Sequence, residues 1–114
     1  MGVGTTPSAL VSHGIDTTVV EIDPAVAKFA QQYFGLRENK APIVEDATVY
    51  AADAAKSETR YDFIVHDVFT GGAEPVDLFT LEFLTHLHTL LQPNGAIAIV
   101  SRSSHIPSNI YARY

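Results

Sequence analysis

Four short apolar runs, each separated from the next by a segment of helical character, constrain this chain more than any other feature. Thr17–Ile22 (T-T-V-V-E-I), Ala41–Glu45 (A-P-I-V-E), Tyr61–Phe69 (Y-D-F-I-V-H-D-V-F) and Ala96–Val100 (A-I-A-I-V) are rich in β-branched and aromatic residues, the composition of strands. Runs that are apolar throughout, rather than alternating, belong to strands covered on both faces. In combination with intervening helices they mean a parallel α/β sheet.

The helical segments carry their own punctuation. Thr6 is placed to cap a short helix to His13, with Pro7 opening it and Gly14 ending it. Asp23-Pro24 is a cap followed by a first-turn proline. The helix after it sets Val26, Phe29, Ala30 and Tyr33 on one face and closes at Gly35. Ala47–Lys56 is alanine-rich and helical. Leu78–Leu91 reads as one helix, with Leu84, Leu87 and Leu91 on a stripe that Phe83 and Leu90 flank, and Gln92-Pro93-Asn94-Gly95 reads as a turn.

The expected fold is therefore a Rossmann-like, doubly wound, mostly parallel sheet of the methyltransferase type. Residues 1–100 make one partial nucleoside-binding domain, and residues 101–114 make an irregular tail. The chain opens on M-G-V-G-T-T-P, a glycine turn that leads into a helix. In a doubly wound sheet such a turn follows a central strand, and no such strand precedes Gly2 in these residues. Its two neighbours would be left unpaired on one edge, so the isolated chain is expected to be only marginally stable.

Composition narrows function. The 114 residues hold 7 Lys and Arg against 13 Asp and Glu, a formal net charge of −6, which argues against nucleic acid or an anionic membrane as the main partner. There are no cysteines, so disulfides and thiolate metal sites are excluded. No apolar run nears the ~20 residues of a membrane helix, and no basic-then-apolar leader is present. A cytoplasmic location is the simplest expectation. His86 and His88, two apart on a helix, do not share a face, so no metal site is expected.

The residues that could carry chemistry sit at expected strand ends. Gly2 and Gly4 would let backbone approach a ligand at a helix N-terminus. Glu21 follows Gly4 by 17 residues, near the offset of roughly 20 at which a carboxylate grips a ribose diol. Asp46 and Ala47 could read the amino group and a ring nitrogen of adenine, or Asp46 could simply cap the next helix; spacing does not separate these. Asp67 ends the strongest strand beside the loop Thr70–Pro75, where open α/β sheets place catalysis. His66 alternates with it and faces the other way, toward a covering helix.

V-V-E-I-D-P, V-E-D-A, Y-D-F-I-V-H-D-V-F, L-F-T-L-E-F-L and L-Q-P-N-G together resemble the spermidine/spermine synthase (polyamine aminopropyltransferase) family, within the S-adenosylmethionine-dependent methyltransferase-like superfamily. The L-F-T-x-E-F segment is the most specific of these. The resemblance implies that Gly2 and Gly4 contact the methionine part of S-adenosylmethionine or its decarboxylated form. It implies that Glu21 binds the ribose, Ile22 packs on adenine, Asp46 and Ala47 read its edge, and Asp67 is the catalytic acid that orients and deprotonates an attacking amine. It further implies a small nucleoside ligand with a polyamine as second substrate, and it is compatible with a homodimer. Two family acids are replaced, by Val3 in the glycine turn and by Thr70 three residues after Asp67. Three readings follow: aminopropyl transfer, methyl transfer, or a truncated domain without turnover.

Overall fold

In the computed structural model, residues 1–68 and 75–100 are described. In chain order they form α1 (Thr5–Ser12), β1 (Val20–Glu21), α2 (Pro24–Tyr33), β2 (Ile43–Val44), α3 (Ala47–Ala54), β3 (Tyr61–Asp67), a 3-10 turn (Val76–Phe79), α4 (Leu81–Thr89) and β4 (Leu91–Val100). The expected loop from Thr70 and the tail 101–114 fall outside the described residues, apart from Pro75.

The helix boundaries follow local chemistry. Asp23 accepts a hydrogen bond from the Ala25 N–H at 2.8 Å and Pro24 occupies the first turn of α2. Asp46 caps α3 through Thr48, and Thr80 caps α4 by accepting from the Phe83 N–H at 3.2 Å. At the end of α1 the backbone turns through Gly14 at φ 77°, and the Ile15 N–H reaches back to the Leu10 carbonyl at 3.1 Å, which satisfies a helix-end acceptor. Gly4, not Thr6, is the N-cap of α1. Pro7 still falls in the first turn, where its missing N–H has no helical partner to lose.

β1 and β2 pair in parallel, Val20 with Ile43 and Glu21 with Val44; β3 and β4 pair in parallel from Phe63–Ala96 to Asp67–Val100. These are two separate two-stranded sheets. The first holds two-residue strands where longer ones were expected; among the described residues β1 pairs along one edge only, and a ladder needs a neighbour. In the second, the register moves from Tyr61–Leu91 to Phe63–Ala96. The Gln92–Gly95 turn is thus an excursion within β4, with Asn94 at φ 71°.

α3 ties the two pairs together. It touches β1, the 3-10 turn and α4. With α4 it buries the core: Ala51, Leu78, Phe83, Leu87 and Leu90, joined by Tyr61 and Ile64 of β3 and Ile97 of β4.

Four expectations about packing are corrected. The Leu78–Leu91 segment is broken at Thr80, because Thr80 adopts an extended backbone and caps a new helix. The buried stripe of α4 is Phe83, Leu87 and Leu90, with Leu84 only partly covered. In α2 the buried positions are Ala27 and Ala30; Phe29 and Tyr33 pack edge to face on each other at 5.7 Å in exposed positions, since small residues permit the closest helix approach. Finally, β3 and β4 are covered on one face only among the described residues. Phe63 is 73% exposed and Val65 45%, with Ala96 and Ala98 opposite them in register.

Candidate functional site

The site begins with backbone. Gly2 and Gly4 both hold left-handed conformations, φ 55° and φ 85°, which side-chain-bearing residues rarely adopt. Open space surrounds the position a Cβ would take on Gly2, whereas on Gly4 it would lie 2.5 Å from Leu36 Cδ1. The Gly4 N–H closes the turn on the Met1 carbonyl at 3.1 Å, and the Gly4 carbonyl receives the Ser8 N–H at 3.0 Å. The turn thus delivers the chain directly into α1.

Glu21 ends β1 and is tied to this turn. Its Oε2 lies 2.7 Å from the Met1 amino group, a partly buried ion pair, and its Oε1 accepts the Asp23 N–H at 3.0 Å. The carboxylate is therefore oriented rather than loosely solvated. Glu21 is also paired with β2: its carbonyl accepts the Glu45 N–H at 3.0 Å. That bond sets Glu45 and Asp46 beside Glu21, at the carboxyl ends of adjacent parallel strands.

Asp46 Oδ1 accepts from the Thr48 N–H at 2.7 Å and from the Thr48 hydroxyl at 2.6 Å. These bonds hold its carboxyl below the usual carboxylate range, the Thr48 hydroxyl contributing most, because they favour the charged form. Asp46 is thus a helix cap in fact. Capping engages Oδ1, so it does not by itself exclude a second role. Ala47 opens α3, with an N–H in the first turn, which has no intrahelical acceptor. Ile22 follows Glu21 and is 65% exposed, an apolar surface beside the carboxylate.

Asp67 closes β3 opposite Val100 and is exposed. Its neighbour His66 is buried on the other face, as alternation requires. His66 Nε2 is 2.9 Å from the Leu78 carbonyl, and its ring meets Phe79 and Phe83 edge on at 4.8 and 5.7 Å. It anchors the 3-10 turn to the sheet. The structure brings Gly2, Gly4, Glu21, Ile22, Asp46 and Ala47 into one linked cluster, while Asp67 lies on the other strand pair.

Sequence reasoning did not anticipate two features. One is the tie of Glu21 to the Met1 amino group. The other is a pair of tyrosines, Tyr50 on α3 and Tyr61 on β3, whose hydroxyls share a hydrogen bond of 2.5 Å. Burial, and then that bond, push the Tyr50 hydroxyl well above its ordinary value. Nothing in the spacing of two tyrosines eleven residues apart signals this contact; it exists because α3 crosses β3.

A parallel α/β framework with an acidic residue at the end of β1, a glycine turn beside it and a second acid at the end of β2 defines a nucleotide-type fold of the methyltransferase class. The chain belongs to the spermine/spermidine synthase domain family, whose model matches residues 2–113. It is 61% identical over 101 residues to an N-terminal histidine N-methyltransferase of Emericella nidulans, a match covering 87% of this chain and 18% of that protein. It is 37% identical over 101 residues to a polyamine aminopropyltransferase of Vibrio vulnificus, covering 85% of this chain and 34% of that one. Among solved structures, human methyltransferase-like protein 13 in complex with SAH superposes with a TM-score of 0.70 at 25% identity, over 84% of this chain and 50% of that chain. The chain thus spans 18% and 34% of the lengths of these two curated relatives. Among the described residues no helix is long and apolar enough to cross a membrane.

Proposed function

We propose that this domain supplies the nucleoside half of an S-adenosylmethionine site in a transferase that methylates a nitrogen acceptor. The observation that carries the reading is the oriented Glu21 carboxylate at the end of β1, with the acidic end of β2 hydrogen-bonded alongside it. A carboxylate only accepts hydrogen bonds, and a ribose diol offers two donors. Oε2 already receives an amino N–H at 2.7 Å, so the position suits a polar hydrogen donor. The open space at Gly2 suits close approach of the methionine portion. Asp46 and Ala47 then meet the adenine edge and Ile22 its face.

Both curated relatives are named for reactions at nitrogen, and the two differ in the group transferred. In either case the nitrogen lone pair attacks a carbon bonded to sulfonium. The new N–C bond forms as the S–C bond breaks, its electron pair returns to sulfur as a neutral thioether, and the nitrogen releases its proton. The leaving group is good, so placement of the nucleophile does most of the work. Asp67, a carboxylate at the end of β3, would orient that nitrogen and take up its proton.

Methyl rather than aminopropyl transfer is favoured by Val3. An aminopropyl ammonium in the glycine turn needs an acid partner, and Val3 offers none. Thr70 likewise withholds an acid that a polycationic acceptor would use. The aminopropyl reading retains one specific support, the L-F-T-L-E-F-L segment that forms the 3-10 turn and the start of α4.

Isothermal titration of the chain with S-adenosylmethionine, its decarboxylated form and S-adenosylhomocysteine tests the proposal. S-adenosylmethionine and S-adenosylhomocysteine should bind, the decarboxylated form no more tightly. Glu21→Gln should weaken binding by about tenfold, or ~1.4 kcal/mol. Tighter binding of the decarboxylated form would assign aminopropyl transfer instead. Unchanged affinity in Glu21→Gln would remove the ribose role.

A further inference from the structure

We propose that Thr48 is a positioning residue that makes this domain select a 6-aminopurine over a 6-oxopurine, by gripping one oxygen of the Asp46 carboxylate and leaving the other to meet the base. The inference rests on the nucleoside reading of the site and adds the residue that sets its choice of base. Thr48 approaches Asp46 twice. Its N–H donates to Oδ1 at 2.7 Å, and its hydroxyl donates to the same oxygen at 2.6 Å. A helix cap needs only the first of these bonds. The second satisfies no backbone donor of α3, because the group that gives the hydrogen is a side chain. Two donors converging on Oδ1 fix the rotation of the carboxyl group, and Oδ2 is the oxygen left for a ligand. Asp46 and Thr48 are both half-buried, and Thr48 lines an open groove between α3 and α4, so a ligand can reach the pair.

The two bases differ at the atom this geometry addresses. The 6-amino group of adenine donates hydrogen bonds, whereas the 6-carbonyl of hypoxanthine accepts them. An ionised carboxylate also only accepts, so a fixed Oδ2 attracts the first and repels the second. A carboxyl that is protonated escapes this rule, since its O–H can donate to a 6-carbonyl. The Thr48 hydroxyl works against that escape. It favours the charged form of Asp46, ahead of the Thr48 N–H and the Val49 N–H. The Ala47 N–H, free of an intrahelical acceptor in the first turn of α3, reinforces the choice, because N1 of adenine accepts while N1 of a 6-oxopurine carries hydrogen.

The test is isothermal titration of the chain with S-adenosylhomocysteine and with its deaminated counterpart, S-inosylhomocysteine, for the wild type, Thr48→Val and Thr48→Ser. Valine keeps the branched shape and the N–H bond and lacks the hydroxyl; serine keeps the hydroxyl. The wild type should favour the 6-amino ligand by about tenfold or more. Thr48→Val should cut that ratio by roughly two- to tenfold, and Thr48→Ser should restore it. An unchanged ratio in Thr48→Val would overturn the proposal. So would equal weakening of both ligands, which is the mark of a lost cap, or a Thr48→Ser ratio as low as that of Thr48→Val. Carboxyl titration by NMR on the unliganded chain adds a readout without any nucleoside. Asp46 should titrate at higher pH in Thr48→Val than in the wild type or Thr48→Ser, and no difference would refute the grip. Equal wild-type affinity for the two nucleosides would end the selectivity claim and leave the nucleoside reading standing, whereas wild-type binding of neither would end both.

Discussion

Replacing Gly4 by alanine exposes how tightly the glycine turn is specified. Gly4 sits at φ 85°, ψ 20°, is buried, and caps α1. An L-residue in this region is disfavoured by about 1–2 kcal/mol. The added Cβ would also stand 2.5 Å from Leu36 Cδ1, a distance no real pair of carbons keeps. Overpacking costs typically about 1–3 kcal/mol, but the clashing atom is the end of a flexible side chain, so the lower part of that range applies. The combined loss is about 2–3 kcal/mol. For a chain of this size each kcal/mol moves the melting midpoint by roughly 4–8 °C, so Gly4→Ala should melt on the order of 10–20 °C lower by circular dichroism. Gly2→Ala is the internal control. It shares a positive φ of 55° but has no atom within 4 Å of the new Cβ, so it should lose only about 1–2 kcal/mol. Leu36→Ala combined with Gly4→Ala should show coupling, because the clash disappears with its partner. If Gly4→Ala melts no lower than Gly2→Ala, or if the coupling is zero, the close approach of Leu36 is not what fixes this glycine.

Asp46→Ala should cost about 1 kcal/mol as a lost helix cap, and Asp46→Asn much less, measured by urea unfolding at neutral pH. Because the Thr48 bonds lower the Asp46 carboxyl below its unfolded value, its contribution is fully present above the unfolded value, near 3.9. It is lost as pH falls through the depressed folded value, so Asp46→Asn should flatten the acid limb of stability below about pH 4. Leu90, 1% exposed in the α3–α4 core, should cost about 2–5 kcal/mol when cut to alanine; a loss under 1 kcal/mol in the same assay would mean the core is looser than its burial implies. His66→Leu should cost about 1–3 kcal/mol by leaving the buried Leu78 carbonyl without its Nε2 partner, and faster amide exchange across Val76–Phe79 would be its local mark.

The order of elements, the caps at Asp23 and the turn at Gln92–Gly95 were legible in the sequence because each rests on chemistry within a few residues. The positions of the strand-end acids were legible in the same sense, and the pairing of β1 with β2 sets Glu21 beside Asp46. What stayed hidden required contacts between distant segments. The break at Thr80 looks like continuous helix until His66 is seen holding the Leu78 carbonyl. The buried face of α2 was read from large apolar residues, yet Ala27 and Ala30 take it, because how closely a helix can approach its neighbour depends on what the neighbour presents.

Local propensity and apolar patterning were enough to dictate a parallel α/β chain with acids at its strand ends. They carry no information on which edges find partners. Only the folded arrangement decided that the strands divide into two pairs bridged by α3, that Phe63 and Val65 face outward, and that Glu21 is clamped between the Asp23 N–H and the Met1 amino group. The reason is that strand pairing and burial are relations between segments tens of residues apart, set by loop closure and helix packing, whereas capping and turn formation are settled within a single turn of chain.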